Sequence, residues 1–264
     1  MPELAEVEFY RRQWRAGEGR RVISVEVHAT KRVFRNADAS QILTSLPGGV
    51  FRSSVAHGKQ MLFRFGAQCW LTIHLGMSGK LRVEPAGFRP GKHDHLALRQ
   101  KERTLVYSDP RQFGRIAFHR GAQPPDWWIN KPPAPNEPGF TLGAMTRALN
   151  RHRKLAIKAA LLLQNGFPGI GNWMADEILW QAGIAPGRPA AKLSAAEVRA
   201  LWQTTRSVSR RALRTIGKSF DAPPRGWLFH ERWSRAGKCP KHRIPLRCAT
   251  IGGRTTAWCK ACQR

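Results

Sequence analysis

The chain closes on Cys239-Pro-Lys-His242, sixteen further residues, and then Cys259-Lys-Ala-Cys262. Two close pairs of soft ligands around a hairpin-length insert have the spacing of a structural zinc site. Each pair grips one side of an ion, and two pairs complete a tetrahedron. The insert, residues 243–258, carries Gly252-Gly253, so it is expected to fold back as two short strands. Such a knuckle is too small to hold together by burial, and the ion supplies the missing stability. Cys248 lies inside the insert and is an alternative to His242, whose spacing fits better. The expected ligands of one structural Zn2+ are therefore Cys239, His242, Cys259 and Cys262. Arg254 directly follows the turn, where a finger could press it into a partner.

Charge points to the nature of that partner. The 264 residues include 45 Lys and Arg against 17 Asp and Glu, a formal charge of +28. That exceeds what solubility requires, favours a polyanion and predicts steeply salt-dependent binding. Nucleic acid fits better than a membrane surface, because no long basic amphipathic helix stands apart from the folded body. No apolar run is long enough to span a bilayer, and the Met-Pro-Glu-Leu start is not a secretory signal. Of five cysteines, only Cys69 lies outside the tail. An odd, clustered set argues against a disulfide scaffold and for a reducing compartment. A soluble, cytoplasmic protein is expected.

The length allows two domains. Residues 2–17 place Leu4, Val7, Tyr10 and Trp14 at helical spacing, with Pro2 suited to the first turn. Glu3 and Glu6 then share a face. Short apolar or alternating runs follow at 22–27, 61–65, 70–74, 96–98, 105–107 and 116–118, separated by turn residues, and read as an antiparallel β-sandwich or barrel. Six prolines in residues 121–139 suit a stiff, extended linker. Beyond it, helices are expected over 141–152, 154–164, 172–182 and 194–215. Between the second and third lies the glycine-dense stretch 165–172, which would present N–H groups to a phosphate at the start of the next helix. The fold class is α+β. An N-terminal helix and β-sandwich (1–120) precede the linker (121–140), a helical domain (141–230) and the zinc finger (231–264).

Six stretches in order carry a resemblance: MPELAEVE at 1–8, GKQMLF at 58–63, HLGMSGKLR at 74–82, DPRQFG at 109–114, PGIGNWMADEIL at 168–179 and GGRTTAWCKACQ at 252–263. Together the chain resembles the formamidopyrimidine-DNA glycosylase / endonuclease VIII family of base-excision repair enzymes, closer to the first branch. The resemblance implies a helix–two-turn–helix DNA-binding domain at 141–230. It also implies a bifunctional DNA glycosylase and AP lyase that acts on damaged double-stranded DNA. A monomer is expected, since one chain supplies the whole clamp.

The family pattern assigns residues to roles. Removal of Met1 would expose the secondary amine of Pro2 as nucleophile. An α-amino group titrates near pH 8, about two units below a lysine, and so is partly unprotonated at neutral pH. Glu3 would manage protons. Glu6 would be a supporting carboxylate or simply a helix-dipole partner. Lys59 would point from a β-turn toward phosphate or the damaged base. Met77, Arg111 and Phe113 would fill the gap left by a flipped nucleotide and read the orphaned base. Lys158, Asn172 and Arg254 would contact phosphates, with Asn172 also suited to a helix N-cap.

Three departures stand out. Ala5 replaces the family's usual proline before the second glutamate, and His242 replaces a cysteine. Residues 216–230 lack the Gly/Thr-rich pattern of the loop that covers an oxidised purine. Two alternatives therefore stand beside an enzyme for oxidised or ring-opened purines. One is a binder of damaged or abasic DNA with little glycosylase activity, and the other is an oxidised-pyrimidine glycosylase.

Overall fold

The structure, a computed structural model, describes every residue except Asn36 and Arg235. It divides into two compact units. Met1–Pro2 and Glu6–Lys131 form the first, and Glu3–Ala5 and Pro132–Arg264 form the second.

The first unit begins in helix α1, Leu4–Gln13, which tightens into a 3-10 turn at Trp14–Gly17. The helix starts two residues later than its apolar spacing suggests, leaving Pro2 ahead of it. Arg11 and Arg12 complement the dipole at its end, and both pair with Glu8 at 2.7 Å. Strand β1 (Ser24–Val27) and helix α2 (Ala39–Ser45) follow. Then come β2 (Phe51–His57), β3 (Gln60–Phe65), β4 (Cys69–His74), β5 (Lys80–Pro85), β6 (Asp94–Arg99), β7 (Arg103–Ser108) and β8 (Arg115–Arg120).

These make two antiparallel four-stranded sheets, ordered β1-β6-β7-β5 and β2-β3-β4-β8. Apolar residues from both meet in one core that includes Phe51, Phe63, Leu71, Leu98 and Tyr107, with Trp14 buried among them. Strands β2 and β5 carry no clear apolar signal. Each is an edge strand, with fewer positions that must be apolar. The proline-rich stretch is not wholly extended, because Asp126–Ile129 forms a one-turn helix, α3.

The second unit holds α4 (Leu142–Arg151), α5 (Ile157–Leu161), α6 (Asn172–Ala182), α7 (Ala195–Arg214) and α8 (Ile216–Ser219). Helix α7 opens on a reciprocal capping box between Ser194 and Glu197. Helix α5 is shorter than expected. Ala156 instead bridges Pro189, and Ile157 N–H donates to Arg188 O at 2.7 Å. The core runs through Phe140, Leu161, Phe167, Ile178 and Leu201. Strands β9 (Arg247–Ile251) and β10 (Arg254–Trp258) form the expected hairpin. Gly252 and Gly253 both have positive φ, at 60° and 70°, the conformation of a two-residue turn that matches strand twist.

Candidate active site and nucleic-acid interface

Glu3 is 3% exposed. Its carboxyl group accepts N–H bonds from Gly171 (2.9 Å), Trp173 (2.9 Å) and Met174 (3.1 Å). The side chain thus caps the start of α6 from a position more than 160 residues away in sequence. Leu4 N–H adds a bond to Gly169 O at 3.0 Å. The approach requires glycine at 171, because a Cβ there would stand 2.3 Å from Glu3 Cδ. Gln164 braces the turn below by donating to Ile170 O and accepting from Gly169 N–H. Glu3 therefore fixes its own segment, Glu3–Ala5, within the second unit. Pro2 and Glu6 are both half-buried.

In the first unit, Lys59 sits in the two-residue turn between β2 and β3, after Gly58 at φ +59°. It is 7% exposed. His74, at the end of β4, is one of its electrostatic neighbours. Burial, helped by Lys59, Arg115, Arg35 and Lys131, holds the imidazole at about 4, well below its ordinary value. His74 is therefore neutral at physiological pH. Its Nδ1 accepts from Gly76 N–H at 3.0 Å, so the ring proton is on Nε2.

Met77 and Phe113 are each 42% exposed, so both side chains are open to a partner. The loops that carry them are rigid underneath. Gly76 lies so close to Phe113 and Gly114 that a Cβ there would stand 2.4 Å from the Gly114 nitrogen. Asp109 is fully buried and ties the loops together. It accepts from Ser78 Oγ–H at 2.6 Å, Gly114 N–H at 2.7 Å and Tyr107 O–H at 3.3 Å. Burial, the Asp109 charge and this bond push the Tyr107 phenol far above its usual value. Arg111 lies over the Phe113 ring, 4.8 Å from its centroid.

In the second unit, Lys158 is wholly enclosed. Its ammonium reaches Asp176 at 2.6 Å, Thr256 Oγ1 at 2.8 Å and Thr255 O at 3.0 Å. Asp176 also accepts from Arg232 at 2.7 Å and from Ala257 N–H at 3.3 Å. Lys158 thus anchors the β9–β10 hairpin to α5 and α6, with no surface of its own to offer. Asn172 is the first residue of α6 and Gly171 is its N-cap. The Asn172 amide donates to Thr255 O at 3.0 Å. Arg254 is exposed at the hairpin tip.

The four tail ligands converge. Cys239 Sγ lies 3.6 Å from His242 Nδ1 and 4.0 Å from Cys262 Sγ, and Cys259 Sγ lies 3.8 Å from His242 Nδ1. Zinc with arms of about 2.0–2.3 Å gives tetrahedral edges of about 3.5–3.8 Å; these three separations come close to that, and all four ligand atoms lie within 4.8 Å of one another, so the group could hold the ion. Cys248 stands outside the cluster, exposed on β9 opposite Ala257. Trp180 of α6 donates its indole N–H to Cys239 Sγ at 3.4 Å, an outer bond that orients the ligand.

Residues 216–230 fold into α8, a left-handed Phe220 and a 3-10 turn at Leu228–His230. Trp227 is buried under the Arg211 guanidinium, and Phe229 meets Trp173 edge-on at 5.1 Å. This segment is held by packing.

Glu177, fully buried in α6, accepts from Phe229 N–H at 2.9 Å and Gln181 at 2.6 Å. Burial outweighs these bonds and raises its carboxyl from 4.5 to about 7. The folded protein therefore keeps a proton that the unfolded chain has released. Stability that is complete below about pH 4.5 is lost as pH rises to about 7. Glu177→Gln removes the titration, its carbonyl still accepting from Phe229 N–H while its amide donates to the Gln181 carbonyl once that side chain turns over. Denaturant melts should match wild type near pH 4.5 and exceed it by up to about 3 kcal/mol above pH 7.5. A difference that does not change with pH would refute this.

Comparison with known proteins converges on one family. Residues 1–116 match the formamidopyrimidine-DNA glycosylase N-terminal domain, and residues 132–222 match its H2TH domain. The formamidopyrimidine-DNA glycosylase of Xanthomonas campestris pv. campestris is 34% identical over 278 residues, and that of Syntrophotalea carbinolica 36% over 278 residues. Both matches cover all of both chains. A solved complex of Lactococcus lactis Fpg (MutM) with DNA containing an oxidised pyrimidine superposes at a TM-score of 0.88 and 26% identity, covering all of both chains. So does MutM bound to DNA containing carbocyclic 8-oxo-G, with the same score and coverage at 27% identity. With both domains matched in order and full-length relatives above a third identity, the chain belongs to the formamidopyrimidine-DNA glycosylase family.

Proposed function

We propose that this protein is a DNA glycosylase with AP lyase activity that removes an oxidised or ring-opened base and then cuts the strand. The observation that carries the reading is the Glu3 anchor. A buried carboxyl group adjoining Pro2 is bound by three N–H groups at the start of α6, which fixes where the chain start can reach.

Met1 must first be removed, since an acylated Pro2 nitrogen has no nucleophilic lone pair. The Pro2 amine then attacks C1′ of a flipped nucleotide. The C1′–N bond breaks and the base leaves with the proton shed by the Pro2 amine; the C1′–O4′ bond then opens with a second proton passing to O4′, leaving an iminium ion between Pro2 and C1′. Loss of a C2′ proton expels the 3′ phosphate, and a second elimination expels the 5′ phosphate. Water finally releases the sugar fragment and restores the amine. Glu3 and Glu6 are the carboxyl groups nearest Pro2 in sequence and serve these proton transfers. Lys59 and neutral His74, a histidine that the sequence reading overlooked, serve the phosphate or base on the first unit.

Met77 and Phe113 act as the apolar wedge, and Arg111 meets the orphaned base. Exposed Arg254 and the Asn172 amide face phosphate. Lys158 acts through the hairpin it anchors. One zinc ion on Cys239, His242, Cys259 and Cys262 is structural, holding the hairpin and supplying no chemistry to the reaction. Chelation should lower the melting temperature and weaken duplex binding about tenfold or more, with zinc restoring both. Unchanged melting after verified metal loss would contradict a structural ion.

A panel of duplexes, each with a single oxidised purine, ring-opened purine, oxidised pyrimidine or abasic site, tests the activity. Base release from a purine lesion followed by cutting is the expected result. Release from pyrimidine lesions alone would reassign the substrate, and cutting of abasic sites alone would leave only the lyase. Tight binding with no release or cutting would make the protein a binder of damaged DNA. The aromatic packing of 216–230 is the feature most able to shift this preference.

A further inference from the structure

A cavity of about 570 Å³ opens in the second unit, between α4, the turn Ala190–Lys192 and the first turn of α7. No residue assigned a role above lines it. Leu142, Leu149, Leu193 and Val198 supply an apolar floor, and Arg153 and Arg199 stand at its edge. Both arginines are exposed, and neither has a side-chain hydrogen bond or ion pair among the described residues.

The end of α7 adds a second, independent source of positive potential. Its N-cap, Ser194, accepts from Glu197 N–H, while the N–H groups of Ala195 and Ala196 lie in the first turn and cannot be satisfied within the helix. Both residues line the cavity. Glu197, the acid of that turn, is directed elsewhere. It is bound to Arg188 at 2.6 Å and to Ser194 N–H at 2.8 Å. The cavity lining therefore includes two guanidinium groups and a helix N-terminus, each favouring an anion.

We propose that this groove is a docking site for an acidic peptide segment of a partner protein, one that carries bulky apolar side chains between its carboxylates. The floor would take the apolar side chains, while Arg153, Arg199 and the α7 N-terminus would take the carboxylates. A DNA strand matches the charge but offers nothing to an apolar floor. Like charge disfavours a second copy of this chain, since each carries +28.

The test is fluorescence anisotropy of the full-length protein with a labelled twelve-residue probe that alternates Asp or Glu with Leu or Phe, at about 0.15 M salt so that long-range attraction is screened. The control probe keeps the acids and replaces Leu and Phe with Ser. Two variants are compared with wild type. Arg153→Gln/Arg199→Gln removes the cations, and Ala195→Trp fills the groove. Melting curves confirm that both fold. Saturable binding is expected to weaken at least about tenfold in either variant and with the serine probe, while affinity for an abasic-site duplex stays within about twofold of wild type. Equal binding of the two probes would overturn the proposal, showing only a basic surface. So would wild-type binding by Ala195→Trp, an absence of binding, or a loss of duplex affinity that tracks the loss of peptide affinity. The last result would make the groove part of the DNA surface.

Discussion

Gly171→Ala is expected to slow strand cutting by about 10²-fold while leaving duplex affinity nearly intact. The argument is steric. A Cβ at 171 would lie 2.3 Å from Glu3 Cδ and 2.4 Å from Oε1, so the carboxyl group must leave its place. Three N–H groups at the start of α6 would then lose their acceptor, and the chain start would shift by an ångström or more. Displacement of that size at a nucleophile costs far more in rate than in binding. Glu3→Gln gives the complementary case, with the shape kept and one acceptor turned into a donor that faces N–H groups. It should be slowed comparably. Single-turnover cutting of an abasic-site duplex, alongside anisotropy for affinity, separates rate from binding. Wild-type cutting by Gly171→Ala would mean that the Glu3 anchor does not position the reacting group.

The second large effect concerns stability. Asp176→Asn should cost about 3–5 kcal/mol, because it leaves two cations buried without their counter-charge. Lys158 and Arg232 both depend on Asp176, which is itself fully enclosed. Burial already pulls the Lys158 ammonium below the usual lysine value, and Asp176 is the main influence opposing it. A melting temperature lower by about 10 °C is the expected reading. Lys158→Met should cost less, since the Asp176–Arg232 pair survives it. In the double variant the two costs should fall well short of additive. Additive costs would show that the two side chains do not act as a pair. The same triad carries the hairpin backbone at Thr255 and Ala257, so Asp176→Asn should also weaken duplex binding through Arg254.

Local patterns in the sequence were good guides wherever the physics is local. Helix α6 begins and ends where its apolar spacing and Gly183 place it, and the Gly252-Gly253 turn sets the hairpin register. The tail cluster was legible because a metal site would impose spacing on the chain itself. Cys248 could not be eliminated by spacing alone, and the fold places it on an exposed strand outside the cluster that His242 joins. Strands β2 and β5 escaped because edge positions tolerate polar residues. The roles of Asp109, Asp176 and Gly171 escaped for another reason. Each is defined by a partner distant in sequence, and no periodicity records such a pair. Lys158 shows the same limit, for its phosphate role was inferred from a motif, while its enclosure depends on Thr255 and Thr256 nearly a hundred residues later.

The proposed mechanism requires the Pro2 amine to form the covalent bond to DNA. The direct measurement is borohydride trapping on an abasic-site duplex, followed by mass spectrometry of the digested adduct. A single adduct on the peptide that begins at Pro2, with Met1 absent, is the expected result. An adduct on Lys59 or another lysine, or efficient cutting with no trapped species, would contradict it.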